Sequence, residues 1–215
     1  MTGQDLTSPL IFLDLGGDAK APTALLLHGL GADEHDLAPL GNDLRNRFRV
    51  HSLRAPLPYI VGAAWYDLPG QASGATGIGP EPETFKRSIE IFDAHVKWLR
   101  KRSPSSKFLF VGFSQGALMS LSFATQRPEC VLGIVALSGY LPKGDLLPGP
   151  ISNLRDLPIF IAHGSADDLL PIQLGRDARA RCEKAGAKLT YTEHRQGHTI
   201  PRETWAAALE FISKL

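Results

Sequence analysis

Short apolar runs alternate along the chain with longer stretches whose apolar residues recur every three or four positions. The runs are Thr23–Leu27 (TALLL), Phe48–Leu53, Lys107–Gly112 (KFLFVG), Val131–Leu137 (VLGIVAL), Pro158–Ala162 (PIFIA) and Leu189–His194. The runs apolar on both faces read as strands of a parallel sheet covered by helices, with Phe48–Leu53 a weaker strand and Leu189–His194 a candidate sixth. Between them, Glu83–Arg102 sets Phe85, Ile89, Phe92, Val96 and Leu99 on one helical face, and Ser103-Pro104 stops it. Gln115–Arg127 carries Leu118, Leu121 and Ala124 in the same way, and Leu169–Ala185 and Glu203–Leu215 are further helices. Pro9–Leu15 reads as part of an antiparallel edge hairpin turning at Gly16-Gly17.

The alternation predicts an α/β class: a mostly parallel central sheet with helices on both faces and right-handed crossovers. The chain shows no internal repeat and no linker, so residues 1–215 read as one domain. Arg54–Pro82 breaks the pattern. It is rich in Pro and Gly, with Tyr59, Trp65 and Tyr66 set in it. A loop of that length inside a domain is usually functional, and it is expected over the substrate site.

Composition narrows the partners. The formal net charge is +1, which disfavours a basic face for nucleic acid. Met1–Ser8 has no basic n-region, and Leu10–Leu13 is too short for the core of an export signal. No run approaches the roughly 18 to 20 apolar residues needed to span a bilayer, so no stable membrane insertion is expected. Cys130 and Cys182 lack close His or Cys neighbours and make neither a disulfide framework nor a zinc site. The expectation is a cytoplasmic protein without cofactor or metal.

Residues 112–116 read Gly-Phe-Ser-Gln-Gly, the G-x-S-x-G pattern of a nucleophile elbow. The serine of such an elbow sits on a strained strand-to-helix turn, and side chains at the flanking glycines would collide with strand and helix. An apolar strand precedes Ser114 and a helix start follows it, which is the context the motif requires. The helix N-terminus directs partial positive charge at the serine, and the main-chain N–H of Gln115 is a candidate oxyanion donor. A second Gly-rich turn, His28-Gly29-Leu30-Gly31, follows the first buried strand; Leu30 is expected to give the other donor, with His28 a structural hydrogen bonder.

A serine nucleophile needs a base and an orienting acid. Of the seven histidines, His198 lies in a loop between the last strand and the last helix, and His194 is its main rival. His35, in Asp33-Glu34-His35-Asp36, reads as a helix cap and first turn rather than as a metal ligand. The acid lies in His163-Gly164-Ser165-Ala166-Asp167-Asp168, where Asp167 and Asp168 compete and Asp168 could instead cap the following helix. The order Ser, Asp, His is that of α/β hydrolases.

These residues resemble the bacterial phospholipase/carboxylesterase family, which also contains the acyl-protein thioesterases. The resemblance runs from about Thr23 to the C-terminus. It rests on LLHGLG at 26–31, RAP at 54–56, WYD at 65–67, GFSQGA at 112–117, HGSADDLLP at 163–171 and GH at 197–198. It implies an α/β-hydrolase fold without a large cap domain, Asp167 as acid, His198 as base, and the amides of Leu30 and Gln115 as oxyanion hole. Many relatives are esterases for short to medium acyl chains, and several form dimers, which makes a homodimer an expectation here.

The reaction then expected is hydrolysis of a small carboxylic ester through an acyl-enzyme on Ser114. Leu30, Ile60, Trp65, Ile78, Phe113 and Leu170 are candidates to line the acyl pocket, with Arg54 and Asp67 fixing the loop. A thioesterase or lysophospholipase would use the same triad. A ligand-binding protein without turnover is the remote alternative, because fold alone does not give function.

Overall fold

Wholly apolar strands form where expected. The computed structural model describes residues 7–70, 77–103 and 105–215. Its backbone gathers into two units, Met1–Phe108 and Leu109–Leu215. In the first, β1 (Phe12–Gly16), β2 (Thr23–Leu27) and β3 (Arg49–Leu53) lie in the order β1-β3-β2. The β2/β3 pair is parallel, from Thr23 opposite Arg49 to Leu27 opposite Leu53. All five β2 residues are buried, as a strand covered on both faces requires.

β1 is antiparallel as expected, but it is no hairpin. It pairs with β3, Phe12 opposite Leu53, rather than with β2, which follows it in sequence. The segment at 54–82 is also more ordered than a bare loop. It holds a short hairpin, β4 (Leu57–Pro58) against β5 (Ala63–Ala64); residues 71–76 lie outside the described residues. A four-residue helix, α1 (Ala38–Gly41), precedes β3. The long helix α2 (Pro82–Arg100) buries Phe85, Ile89, Phe92, Val96 and Leu99, the face its periodicity predicts. Glu81 caps it, accepting from the N–H groups of Glu83 and Thr84. Pro104, read as its stop, lies outside the described residues.

The second unit is also built of strands. β6 (Phe108–Phe113), β7 (Val131–Leu137), β8 (Pro158–Gly164) and β9 (Lys188–His194) lie in that order. The β7/β8 and β8/β9 pairs are parallel. Helices α3 (Gln115–Gln126), α4 (Ile172–Ala185) and α5 (Arg202–Ser213) connect or follow them. α4 begins three residues later than its periodicity suggests, because Pro171 stands at its N-cap and the two residues before it turn around a carboxylate. No helix among the described residues is long and apolar enough to cross a membrane.

Candidate active site

β6 runs into α3 through Ser114, whose φ of +54° lies in the left-handed region. A non-glycine residue there costs on the order of 1–3 kcal/mol and persists only where its surroundings enforce it. Here the Ser114 N–H donates to the carbonyl of Leu137 at the end of β7, at 2.9 Å. Gly112 is dictated by space: a Cβ on it would lie 2.3 Å from the carbonyl oxygen of Gly116. Gln115 opens α3, so its N–H belongs to the first turn, where helix N–H groups point outward along the axis.

Asp167 follows β8 and His198 follows β9, so the pairing of those strands carries their loops side by side. The pairing extends past the strand ends, with Ser165 N–H donating to His194 O (2.7 Å) and Ala166 N–H to Gln196 O (3.3 Å). Gly164 allows this approach, since a Cβ on it would sit 2.4 Å from the carbonyl oxygens of both Gln196 and Gly197. The result is a hydrogen bond of 2.7 Å between His198 Nδ1 and Asp167 Oδ2. The other carboxylate oxygen, Oδ1, accepts from the N–H groups of Leu169 (3.1 Å) and Leu170 (2.8 Å). The carboxylate is shut from solvent while the His198 ring keeps 13% of its surface.

The His198 ring lies 4.8 Å, centroid to centroid, from that of Phe113, the neighbour of Ser114. With Nδ1 engaged by Asp167, Nε2 is the nitrogen left to accept a proton. The Ser114 hydroxyl has no hydrogen-bond partner among the described residues; such contacts are often long before substrate binds. The rivals fare differently. His194 ends β9, buried, with its Nδ1 unpartnered, and burial holds its ring below the usual imidazole range. Asp168 is exposed, and with α4 starting at Ile172 it caps nothing.

In the first unit, the Gly-rich turn at 28–31 is held by its neighbours. The N–H of Gly31 donates to Ala63 O (2.9 Å) and that of Ala32 to Gly29 O (3.4 Å). The N–H of Leu30 has no acceptor among the described residues. His28 is the structural bonder expected: Nδ1 lies 2.6 Å from Gly29 O, and Nε2 accepts from the N–H of Ala55 at 3.0 Å. Its burial pushes its pKa down.

Comparison with known proteins decides the family. The phospholipase/carboxylesterase family model matches residues 12–215. The chain belongs to that family. As a member it is a hydrolase acting on ester bonds. It is 28% identical over 212 residues to acyl-protein thioesterase 1 of Neurospora crassa, covering 89% of this chain and 86% of that one. To acyl-protein thioesterase 1 of Debaryomyces hansenii it is 30% identical over 206 residues, 87% of this chain and 88% of the other. The solved structure of the Bacillus cereus carboxylesterase overlays with a TM-score of 0.79 at 23% identity, over 95% of this chain and 93% of that one, and so shares the fold.

For this family member the expected pocket residues differ in exposure. Trp65 is corrected: it is fully buried, packs its indole against Phe92 and donates Nε1–H to His28 O at 3.0 Å. It is core and offers no surface to an acyl chain. Ile60, at the tip of the β4–β5 hairpin, is 89% exposed, and Ile78 is exposed too. Phe113 and Leu170 are half-buried in the second unit, the first against His198 and the second beside Asp167.

Arg54 ties the end of β3 to the 33–35 turn, its Nη1 bonding Glu34 Oε2 (3.0 Å) and lying 3.7 Å from Asp33 Oδ2. Asp33, Glu34 and His35 converge in a turn rather than capping a helix, the N–H of His35 donating to Asp33 Oδ1. Both acids already face the Arg54 guanidinium. Sequence reasoning missed a cavity of about 660 Å³ in the first unit, among Leu10, Ile11, Leu57, Pro58, Ile91 and Ala94. It also gave no role to His163, which lies against Asp167; the only signal was its place at the head of the H-G-x-x-D run.

Proposed function

We propose that Ser114, His198 and Asp167 act as nucleophile, base and orienting acid in the hydrolysis of short- to medium-chain carboxylic esters. The observation that carries this reading is the Asp167–His198 bond, which holds the base beside the strained elbow of Ser114. His198 Nε2 takes the hydroxyl proton as Ser114 Oγ bonds to the ester carbonyl carbon. The amides of Leu30 and Gln115 receive the oxyanion, each donor contributing roughly 3 kcal/mol. In support of Leu30, the next two amides of its turn are already engaged.

The tetrahedral species collapses, the C–O bond breaks, and the alcohol leaves with the proton from His198. Water then attacks the acyl-enzyme by the same path, returning the proton to Ser114 and freeing the acid. Phe113 and Leu170, beside His198 and Asp167, are proposed to touch the acyl chain.

A thioester substrate is the second reading, supported by the curated relatives named acyl-protein thioesterase 1. The chemistry is shared and only the leaving atom differs. The test is turnover of p-nitrophenyl esters of rising acyl length, with an acyl thioester beside them, by wild type and Ser114→Ala. Wild type is expected to turn over, with the variant slower by at least about ten-thousand-fold. The ratio of ester to thioester rates ranks the two substrates. A folded, inert wild type contradicts both.

A further inference from the structure

His163 lies in β8, and its side chain has no exposed surface. Its Nε2 is 2.7 Å from the carbonyl oxygen of Leu170. A carbonyl can only accept, so this nitrogen carries the proton. The same nitrogen stands 3.5 Å from Asp167 Oδ2, the oxygen that His198 uses. The far nitrogen, Nδ1, has no partner and faces Gly175 of α4, where a Cβ would come within 2.6 Å of it. The ring is thus wedged in place by a glycine on one side and a carbonyl on the other.

Leu170 closes the arrangement, for its own N–H donates to Asp167 Oδ1. His163 therefore holds the same residue that holds the carboxylate, and presents an N–H dipole to the carboxylate's other oxygen. Both side chains are shut from water, where such dipoles act at low effective dielectric.

We propose that His163 is a positioning residue: it fixes the Leu170 turn and the plane of the Asp167 carboxylate, and through them the orientation of His198. This rests on the triad reading above. It requires a donor at the Nε2 position, not an imidazole as such. Glutamine can supply that donor and leucine cannot.

The test measures ester turnover by wild type, His163→Gln and His163→Leu, each normalised to the sites labelled at completion by a fluorophosphonate, and repeats the leucine change on Asp167→Asn. Misplacing a catalytic group costs up to about 100-fold, so His163→Leu is expected to lower kcat about 10- to 100-fold, with KM within about threefold. His163→Gln should return to within about threefold of wild type. On Asp167→Asn the leucine change should cost less than about twofold, because groups acting as one unit are not additive.

Equal losses for leucine and glutamine, a loss carried by KM, or the full loss repeated on Asp167→Asn would overturn the proposal. A wild type without turnover overturns the triad reading and this one with it. An active wild type with additive losses overturns this one alone. If the leucine variant does not fold, His163→Asn replaces it, since its amide falls short of Leu170 and the same outcomes apply.

Discussion

Asp167 Oδ2 and His198 Nδ1 are 2.7 Å apart, joining a carboxylate sealed from solvent to an imidazole at the edge of it. The neighbouring oxygen already takes two main-chain amides. The carboxylate is therefore satisfied on one side by the backbone and free to orient the ring on the other. A bond of this kind sets the tautomer, leaving Nε2 able to accept a proton.

Asp167→Asn tests that division of labour. The amide oxygen can replace Oδ1, so the fold should hold. The amide NH2 then meets His198 Nδ1 and forces the opposite tautomer. Turnover should fall by about ten-thousand-fold with little change in melting temperature. Asp168→Asn, at an exposed position, should stay within about twofold and 0.5 kcal/mol of wild type. Steady-state kinetics and thermal melts on both variants decide it.

Trp65→Phe separates core from pocket. The change removes the Nε1–H bond to His28 and part of a buried ring. Stability should fall by about 1–3 kcal/mol in urea unfolding. KM across the ester series should not move. A raised KM at unchanged stability would put the indole against substrate.

Gly164→Ala should disturb the site through the backbone. The new methyl would meet the carbonyls of Gln196 and Gly197, just ahead of His198. Overpacking of this kind costs about 1–3 kcal/mol, and moving the loop that carries His198, the proposed base, should lower kcat as well. A crystal structure of the variant, read beside its kinetics, would show the displaced loop.

Acid should weaken the first unit through its buried histidines, most through His51 and His95, with His28 acting in the same direction. His51 stacks on Phe12 at 4.5 Å, and His95 contacts Phe12 and Trp98. Burial pushes His51 down to about 4 despite nearby Asp14, with Arg49 adding to the shift, and pushes His95 to about 3 with His51 adding to it. An unfolded histidine titrates near 6.5. Below that pH the unfolded chain gains protons that the folded one refuses, so stability is full above about 6.5 and falls toward the folded pKa values. Each ring contributes up to about 1.4 kcal/mol per pH unit in that window. Urea unfolding at pH 7, 6 and 5 should show the slope, and His95→Phe should reduce it.

What could be read from sequence was what local pattern controls. Val131–Leu137 forms a strand with the bounds its apolar run marks, and α2 buries the face set by residues three and four apart. The G-x-S-x-G run lies at a strand-to-helix turn, the context the motif predicts. Features set by distant partners were not legible. β1 pairs with β3 across an intervening strand. The 57–64 hairpin has only two residues per strand and is held by bonds from Gly31 and to Ala32. Trp65 carries the same letter whether it lines a cleft or fills a core. His163 gains meaning only when Leu170 and Asp167 fold back onto it.

The central claim is that Ser114 is the nucleophile, and the most direct measurement is covalent labelling by a fluorophosphonate, followed by intact mass and peptide mapping. The account predicts one adduct per chain on the peptide containing Ser114, and none on a folded Ser114→Ala variant. A folded wild type that stays unlabelled, or an adduct on another residue, would contradict it.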